Sequence, residues 1–215
     1  MKLYLYQHCP FCVRAQMIFG LRNIAYEEVV LLNDDEATPI GLIGKKMLPI
    51  LQLDDGRPMA ESLDIVHYID SFHGQALLAG PRNPSIQTWL ERASGSIFCL
   101  AIPRWAQSPL SEFDTASARA CFVQNKTRIL GSFRPYLANT PQLIAAVQRD
   151  LKDLAEMLVP GQGCNGMLSM DDILLYPLLR ALSIVAGIEY PPAIEHYRRH
   201  IAIRANVPLH DAIAL

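Results

Sequence analysis

Two cysteines near the start of the chain have the type and spacing for thiol chemistry. Cys9 and Cys12 flank Pro10 and Phe11, shortly after a β-prone run at residues 3–6. Because proline is favoured at the first position of a helix, Cys9 is predicted to be the N-cap of the helix that Pro10 opens. Unpaired backbone N–H groups and the helix dipole stabilise negative charge there. We therefore predict that Cys9 is an exposed thiolate, the reactive form of a cysteine.

The spacing of the two cysteines suits a reversible disulfide. Residues three apart on a helix have Cβ atoms about 5–6 Å apart, which modest relaxation brings within disulfide geometry. Cys12 lies one turn inside the helix and is predicted to be the more buried, resolving thiol. A cysteine pair placed after the first strand of an α/β unit is typical of a redox motif.

A metal site and a structural pair are the alternatives to this redox role. The other three cysteines stand alone in the sequence: Cys99, Cys121 and Cys164. Since zinc needs a second ligand pair at a usable spacing, no metal is expected. An iron–sulfur cluster shared between two subunits stays open, although nothing in the sequence supports it. A purely structural pair is disfavoured, because a strand-to-helix junction lies at the ligand-binding edge of the sheet.

The elements around the cysteines predict a small α/β unit followed by helices. Strand patterns occupy residues 3–6, 26–32, 49–53 and 57–60, and helical patterns occupy residues 10–23 and 37–44 and begin again at residue 62. The resulting order, β-α-β-α-β-β-α, implies a sheet with a parallel part that ends in an antiparallel hairpin. Further along the chain, helix start signals occur at Asn83-Pro84 and Thr140-Pro141.

The second half of the chain carries no strand patterns. Glycine and proline without periodicity predict a linker over residues 73–83. Residues 169–172 resemble a capping box, with Asp in place of the usual Glu. The helix that follows, over residues 173–186, is apolar nearly all round and is predicted to be the buried centre of its domain. We therefore predict an α/β domain over residues 1–72 and an all-helical domain over residues 84–215.

Composition and charge narrow the function classes. The chain is 51% apolar and 19% charged, which excludes a disordered protein. Its net charge of −2 offers no basic excess, so nucleic acid is not an expected partner. No segment approaches the ~20 apolar residues that cross a bilayer, so no membrane partner is expected. An odd number of cysteines, five, and the short apolar stretch at the N-terminus favour a reducing cytoplasm over an exported disulfide scaffold.

The cysteine motif resembles the active site of the glutaredoxins. Cys9-Pro10-Phe11-Cys12 differs from the common Cys-Pro-Tyr-Cys of that family in the tyrosine hydroxyl, so Phe11 cannot donate a hydrogen bond there. The resemblance implies a glutathione-dependent thiol–disulfide oxidoreductase that reduces glutathione mixed disulfides and protein disulfides. It also implies that Cys9 is the nucleophile, that Cys12 resolves the mixed disulfide, and that Phe11 contacts glutathione.

Two further motifs resemble glutathione-binding thioredoxin folds. Met47-Leu48-Pro49 resembles the loop in which a cis-proline faces the active-site thiol, although Met47-Leu48 is bulkier than the usual Thr-Val. This implies a cis bond before Pro49 and a Leu48 backbone that pairs with glutathione like an added strand. Glu61-Ser62 resembles the Glu-Ser that opens the third helix of glutathione S-transferases. This resemblance implies that Glu61 and Ser62 belong to the glutathione site, where the γ-glutamyl carboxylate of glutathione binds at the N-terminus of the helix.

The whole chain, residues 1–215, resembles the bacterial glutaredoxin 2 family, which joins a glutaredoxin active site to a transferase-like body. This resemblance implies a thioredoxin-like N-terminal domain, an all-α glutathione S-transferase-like C-terminal domain, and glutathione as co-substrate. It also implies a monomer whose partners are glutathionylated or disulfide-containing proteins. A transferase that conjugates electrophiles and a non-catalytic binding protein stay open as rival functions. The roles of His8, Lys45 and Lys46 also stay open, between tuning or binding and an ordinary solvated position.

Overall fold

A computed structural model describes residues 1–72 and 74–215 of the chain; His73, the first residue of the predicted linker, lies outside them. The first half of the chain has the predicted order of elements: β1 (Lys2–Leu5), α1 (Pro10–Leu21), β2 (Glu27–Val30), α2 (Ala37–Ile43), β3 (Ile50–Gln52), β4 (Pro58–Met59) and α3 (Ser62–Asp70). β1 begins one residue earlier than its pattern and the other three strands are shorter than theirs, but the predicted alternation is confirmed.

The named elements in the rest of the described chain are helices. Its helices are α4 (Pro84–Trp105), α5 (Ala116–Leu130), α6 (Arg134–Ala138), α7 (Thr140–Met157), α8 (Met170–Leu182) and α9 (Pro192–Arg204), with short 3₁₀ turns at Ser111–Phe113 and Asp211–Ile213. Within residues 1–72 and 74–215, no helix combines the length and the apolar character needed to span a bilayer.

The four strands form one sheet in the order β2-β1-β3-β4. β1 runs parallel to β2 and antiparallel to β3, and β3 and β4 form the antiparallel hairpin. The predicted mixed sheet is therefore confirmed. β1 is an inner strand, and the turn that follows it carries the cysteine motif. α1 begins at this turn, packs against α3 and α8, and connects β1 to the edge strand β2.

Helices begin at both predicted start signals in the second half of the chain, Asn83-Pro84 and Thr140-Pro141. The Asn83 side chain accepts the N–H of Ser85 at 3.0 Å, which caps α4. In α7, however, Asn139 is the N-cap and Thr140 is the first helical residue. The Thr140 hydroxyl instead donates to the Tyr136 carbonyl and accepts from the Arg104 guanidinium.

The predicted central helix is α8, and it is buried nearly all round. Ser169 and Asp172 form the predicted capping box at its start. The helix ends at Leu182 instead of residue 186, because the backbone N–H of Ala186 donates to the carbonyl of Leu215 at 3.0 Å and not to that of Leu182. A contact from a distant part of the chain therefore ends α8 one turn early.

Gly20 lets α1 approach the end of α9. A Cβ atom at this position would lie 1.7 Å from the backbone oxygen of Ala205, far inside contact distance. Because that obstacle is backbone, neither helix can accommodate a side chain without moving. Gly41 in α2 is the opposite case, since a Cβ there would meet nothing within 4 Å.

We predict that Gly20→Ala lowers the free energy of unfolding by about 3 kcal/mol or more, as overpacking of a rigid contact does. Gly41→Ala is the matched control, and it should leave stability unchanged or raise it by up to about 1 kcal/mol through helix propensity. Urea unfolding followed by circular dichroism measures both. Equal midpoints for Gly20→Ala and the unmodified chain would contradict the packing described for α1.

Candidate functional site

Cys9 occupies the turn between β1 and α1. It is the N-cap of α1, with extended backbone angles (φ −73°, ψ 118°), and Pro10 follows as the first helical residue. Its side chain is half-buried, less exposed than the sequence predicted, because Leu48 and the ring of Phe122 line the same cavity. Cys12 is fully buried, as predicted.

The two thiols have opposite acidities. The pKa of Cys9 is lowered to about 6, and the largest cause is the hydrogen bond from the Cys12 thiol, which opposes the effect of burial. His8 and the backbone N–H groups of Cys12 and Phe11 contribute to the same lowering of the Cys9 pKa, although neither amide closes a full capping bond to the sulfur. Burial raises the pKa of Cys12 well above its usual range, and the neighbouring Cys9 adds to this rise. At neutral pH, Cys9 is therefore the thiolate and Cys12 the thiol.

The loop before β3 lies beside Cys9. The Leu48–Pro49 peptide bond is cis, which confirms the expectation from the sequence. Among the residues that the structure describes, no backbone hydrogen bond uses the N–H or C=O of Leu48. Leu48 and Cys9 line a cavity of about 240 Å³, the Cys9 cavity, whose other lining residues include Asn33, Lys46, Phe122 and Lys126. This cavity combines a reactive sulfur, unpaired backbone groups and two lysines.

Phe11, Glu61 and Ser62 lie outside the lining of the Cys9 cavity. Phe11 is half exposed and lines a second groove of about 260 Å³, where the Arg14 guanidinium lies 4.6 Å from its ring centroid. Glu61 is the N-cap of α3 and has a φ of 68°, a conformation that non-glycine residues keep where the surroundings impose it. Ser62 is buried as the first residue of that helix.

The two lysines of the proline loop form exposed ion pairs. Lys45 lies 3.5 Å from Glu61, and Lys46 lies 3.2 Å from Glu36. Such exposed pairs contribute little to stability, because water screens both charges. Both lysines therefore remain able to exchange these partners for a bound anion.

The sequence did not predict the buried pair next to Cys9. His8 is buried, and its Nδ1 lies 2.7 Å from Oε1 of Glu112 in the 3₁₀ turn Ser111–Phe113. Rings of Trp105, Phe113 and Phe122 surround the imidazole, with centroids 5.0 to 5.3 Å away. Burial disfavours the charge of Glu112, yet the hydrogen bonds and charge of His8 hold the pKa of this carboxyl below its usual range. No local pattern marks Glu112, because its partner is 104 residues away in the sequence.

The other cysteines lie in different surroundings. All five cysteines are free thiols in the described residues. Burial raises the pKa of Cys164, and Cys121 lies 3.8 Å from the amine of Lys46. Across residues 1–72 and 74–215, no three His, Cys, Asp or Glu side chains are arranged to hold a metal ion.

Comparisons with known proteins agree on a family. The family model described as glutaredoxin 2, C-terminal domain, matches residues 85–214, and that of the glutathione S-transferase N-terminal domain matches residues 3–77. Glutaredoxin 2 of Escherichia coli (strain K12) is 46% identical over 215 residues, covering 100% of both chains.

Solved structures give the same result. The crystal structure of glutaredoxin 2 from Salmonella typhimurium in complex with glutathione is 48% identical, with a TM-score of 0.98 over 100% of this chain and 98% of that chain. Glutathione transferase GSTFuA3 from Phanerochaete chrysosporium is 14% identical, with a TM-score of 0.74 over 94% of this chain and 96% of that one, which shows a shared fold.

We predict that Cys12→Ala raises the pH midpoint of Cys9 alkylation from near 6 by about one unit or more, because it removes the main hydrogen-bond donor to the thiolate. Cys12→Ser is the matched control, since its hydroxyl still donates and the midpoint should stay closer to 6. Alkylation by iodoacetamide, followed by peptide mass spectrometry across pH, measures the midpoint at Cys9. The assignment is contradicted if Cys12→Ala and the unmodified chain share one midpoint.

Proposed function

The chain belongs to the glutaredoxin 2 family, and from that premise we propose how its cysteines exchange thiols with glutathione. The protein is a glutathione-dependent oxidoreductase. We assign Cys9 as its nucleophile and Cys12 as its resolving thiol. The observation that carries this assignment is the position of Cys9, a half-buried N-cap beside the cis Leu48–Pro49 loop with Cys12 buried one turn further on, and the pKa of Cys9, lowered to about 6, supports it. Thiol exchange requires such a thiolate.

In the monothiol route, the Cys9 thiolate attacks the glutathionyl sulfur of a mixed disulfide. The substrate sulfur leaves as a thiolate and takes up a proton, and Cys9 becomes glutathionylated. The thiolate of a second glutathione then attacks the glutathionyl sulfur on Cys9. This step forms glutathione disulfide and restores the Cys9 thiolate, so that one mixed disulfide and one glutathione thiol have become one substrate thiol and one glutathione disulfide.

In the dithiol route, Cys9 attacks a protein disulfide and forms a mixed disulfide with one substrate sulfur. Cys12 then attacks Cys9, releases the reduced substrate and closes a Cys9–Cys12 disulfide. The high pKa of Cys12 derives first from burial and then from the neighbouring Cys9. Once Cys9 is in a mixed disulfide, the contribution of Cys9 is lost, so Cys12 ionises more readily when its attack is needed. Two glutathione molecules then reduce the disulfide.

For the bound tripeptide, we assign the backbone of Leu48 to the cysteinyl residue of glutathione. Its unpaired N–H and C=O support pairing of the kind that adds a strand to a sheet. The Ser62 hydroxyl and the first amides of α3 are assigned to the γ-glutamyl carboxylate, an anion site of the usual kind at a helix start. Phe11 is assigned to the flank of the tripeptide, and Lys45 and Lys46 to its glycyl carboxylate. The Salmonella relative was solved in complex with glutathione, which supports glutathione as the ligand of this site.

The wider setting follows from the same chemistry. We propose glutathionylated and disulfide-containing proteins as substrates, a monomeric protein, and the cytoplasm as location, because reduced glutathione predominates in reducing compartments. We also propose residues 1–72 and 84–215 as the two domains, joined by the linker at 73–83. A conjugating transferase is disfavoured: it needs a hydroxyl that stabilises the thiolate of glutathione, whereas Cys9 would form a disulfide with it.

We predict that Cys9→Ser abolishes turnover of a glutathione mixed disulfide, because a serine hydroxyl is not ionised near neutral pH. Cys12→Ser should keep this monothiol activity and lose reduction of protein disulfides. A coupled assay with glutathione reductase, run on a glutathionylated peptide and on a protein disulfide, separates the two. Unchanged turnover by Cys9→Ser would refute the assignment of the nucleophile, and loss of both activities in Cys12→Ser would refute the resolving role of Cys12.

We predict that Ser62→Ala raises the KM for glutathione about tenfold, the usual cost of losing a hydrogen bond to a charged group. The kcat and the pH midpoint of Cys9 should stay unchanged, since Ser62 does not line the Cys9 cavity. Ser85→Ala is the matched control, because Ser85 is an exposed serine at the start of α4. An unchanged KM in Ser62→Ala would remove the assigned carboxylate site.

A further inference from the structure

The buried pair of His8 and Glu112 connects the helical part of the chain to the residue before Cys9. We propose that Glu112 is a positioning residue for thiol exchange, whose carboxylate holds His8 as a protonated imidazole beside Cys9. The inference rests on the proposed role of Cys9 as the nucleophile. It makes the helical domain a component of the active site and not only a support for it.

The geometry fixes the imidazole. Oε1 of Glu112 accepts the backbone N–H of His8 at 2.8 Å and lies 2.7 Å from its Nδ1. Because an ionised carboxylate only accepts hydrogen bonds, Nδ1 must carry a hydrogen. One oxygen atom therefore sets both the position of the His8 backbone and the orientation of its ring.

The surroundings make the charges interdependent. Glu112 has no exposed surface, and its other oxygen, Oε2, has no hydrogen-bond partner among the described residues. A buried carboxylate without a compensating charge is strongly destabilising. The aromatic rings of Trp105, Phe113 and Phe122 exclude water around the pair, which strengthens the attraction between Glu112 and a protonated His8.

Other ionisable groups face the pair from the packed elements. Arg180 of α8 donates to the backbone carbonyls of Gln7 and Pro208, at 2.6 and 2.8 Å. Burial and the charge of Arg180 lower the pKa of His210 to about 2, so His210 is neutral. Tyr6, Cys9 and Cys12 face the pair from the start of the chain, and Lys46 and Lys126 line the same cavity as His8. Burial raises the pKa of Tyr6 above its usual range, so its hydroxyl stays protonated.

Two routes by which Glu112 could act on Cys9 predict opposite signs. Acting directly, its negative charge disfavours a nearby thiolate, so its removal would lower the Cys9 pKa. Acting through His8, it retains a positive charge that lowers the Cys9 pKa, so its removal would raise that pKa. The sign of the shift therefore distinguishes a positioning role from a simple charge effect.

The test replaces Glu112 by glutamine, which keeps the shape and the accepting oxygen but removes the charge. In Glu112→Gln, the pH midpoint of Cys9 alkylation should rise by about one unit, and alkylation at pH 6 should fall about fivefold. Turnover of a glutathione mixed disulfide should fall at pH 6 and recover as the pH increases. In a His8→Gln background, Glu112→Gln should cause no further rise, as a double-mutant cycle requires for an effect carried by His8.

Asp171→Asn is the matched control, because Asp171 is another fully buried carboxylate and accepts the backbone N–H of Asn83 at 2.6 Å. This substitution should lower stability without moving the Cys9 midpoint. An unchanged or lowered midpoint in folded Glu112→Gln would overturn the inference, as would a rise that persists without His8. If Glu112→Gln does not fold, ¹⁵N spectra of the unmodified protein near neutral pH still test the pair: hydrogen on both ring nitrogens of His8 is expected, and hydrogen on only one of them would overturn the inference.

These outcomes are distinct from failure of the proposed function. If the unmodified chain shows no low midpoint at Cys9, or Cys9→Ser turns over normally, the proposed function fails, and the role of Glu112 fails with it. If the unmodified chain behaves as proposed and Glu112→Gln does not raise the midpoint, the positioning role alone fails.

Discussion

The hydrogen bond from the Cys12 thiol to the Cys9 sulfur is the interaction on which the site depends. A half-buried thiolate is penalised by the loss of water, so donors near the sulfur must offset that penalty. Cys12 supplies the strongest donor, and it can do so because its own burial keeps it protonated. Burial therefore separates the pKa values of the two thiols. Cys9 is the thiolate nucleophile, and Cys12 stays protonated and donates to it.

This arrangement requires a rigid junction between β1 and α1, and the helical part of the chain provides it. Arg180 donates to the backbone carbonyl of Gln7, and the backbone N–H of Ser111 donates to the side-chain oxygen of Gln7 at 3.2 Å. His8 is held in the same way by Glu112. Contacts from distant segments thus fix the two residues that precede Cys9, and the position of the sulfur follows from them.

The fold alone does not decide the chemistry. Glutathione transferases of low sequence identity share this scaffold, so the function is set by the residues at the start of α1 and around it. A hydroxyl at that junction would stabilise the thiolate of glutathione itself, whereas a cysteine of low pKa exchanges disulfides with it. The position of one sulfur atom therefore separates the two reactions on a common framework.

The features that the sequence determined are those set by near neighbours. Pro10 after Cys9 places the N-cap, the alternating patterns give the order of strands and helices, and Ser169 with Asp172 starts α8. Hydrogen bonds and helical periodicity act over a few residues, so local sequence is sufficient to predict them. The resemblance of the 47–49 loop to known folds was sufficient for the cis bond.

Only the tertiary structure decided how far these groups are removed from water and which distant groups they meet. It half-buried Cys9, ended α8 at Leu182 instead of residue 186, and paired His8 with Glu112. Each of these outcomes depends on segments far apart in the sequence that come together when the chain packs. Burial and pairing over such distances leave no periodic pattern, and therefore the acidity of Cys9 is a property of the folded chain.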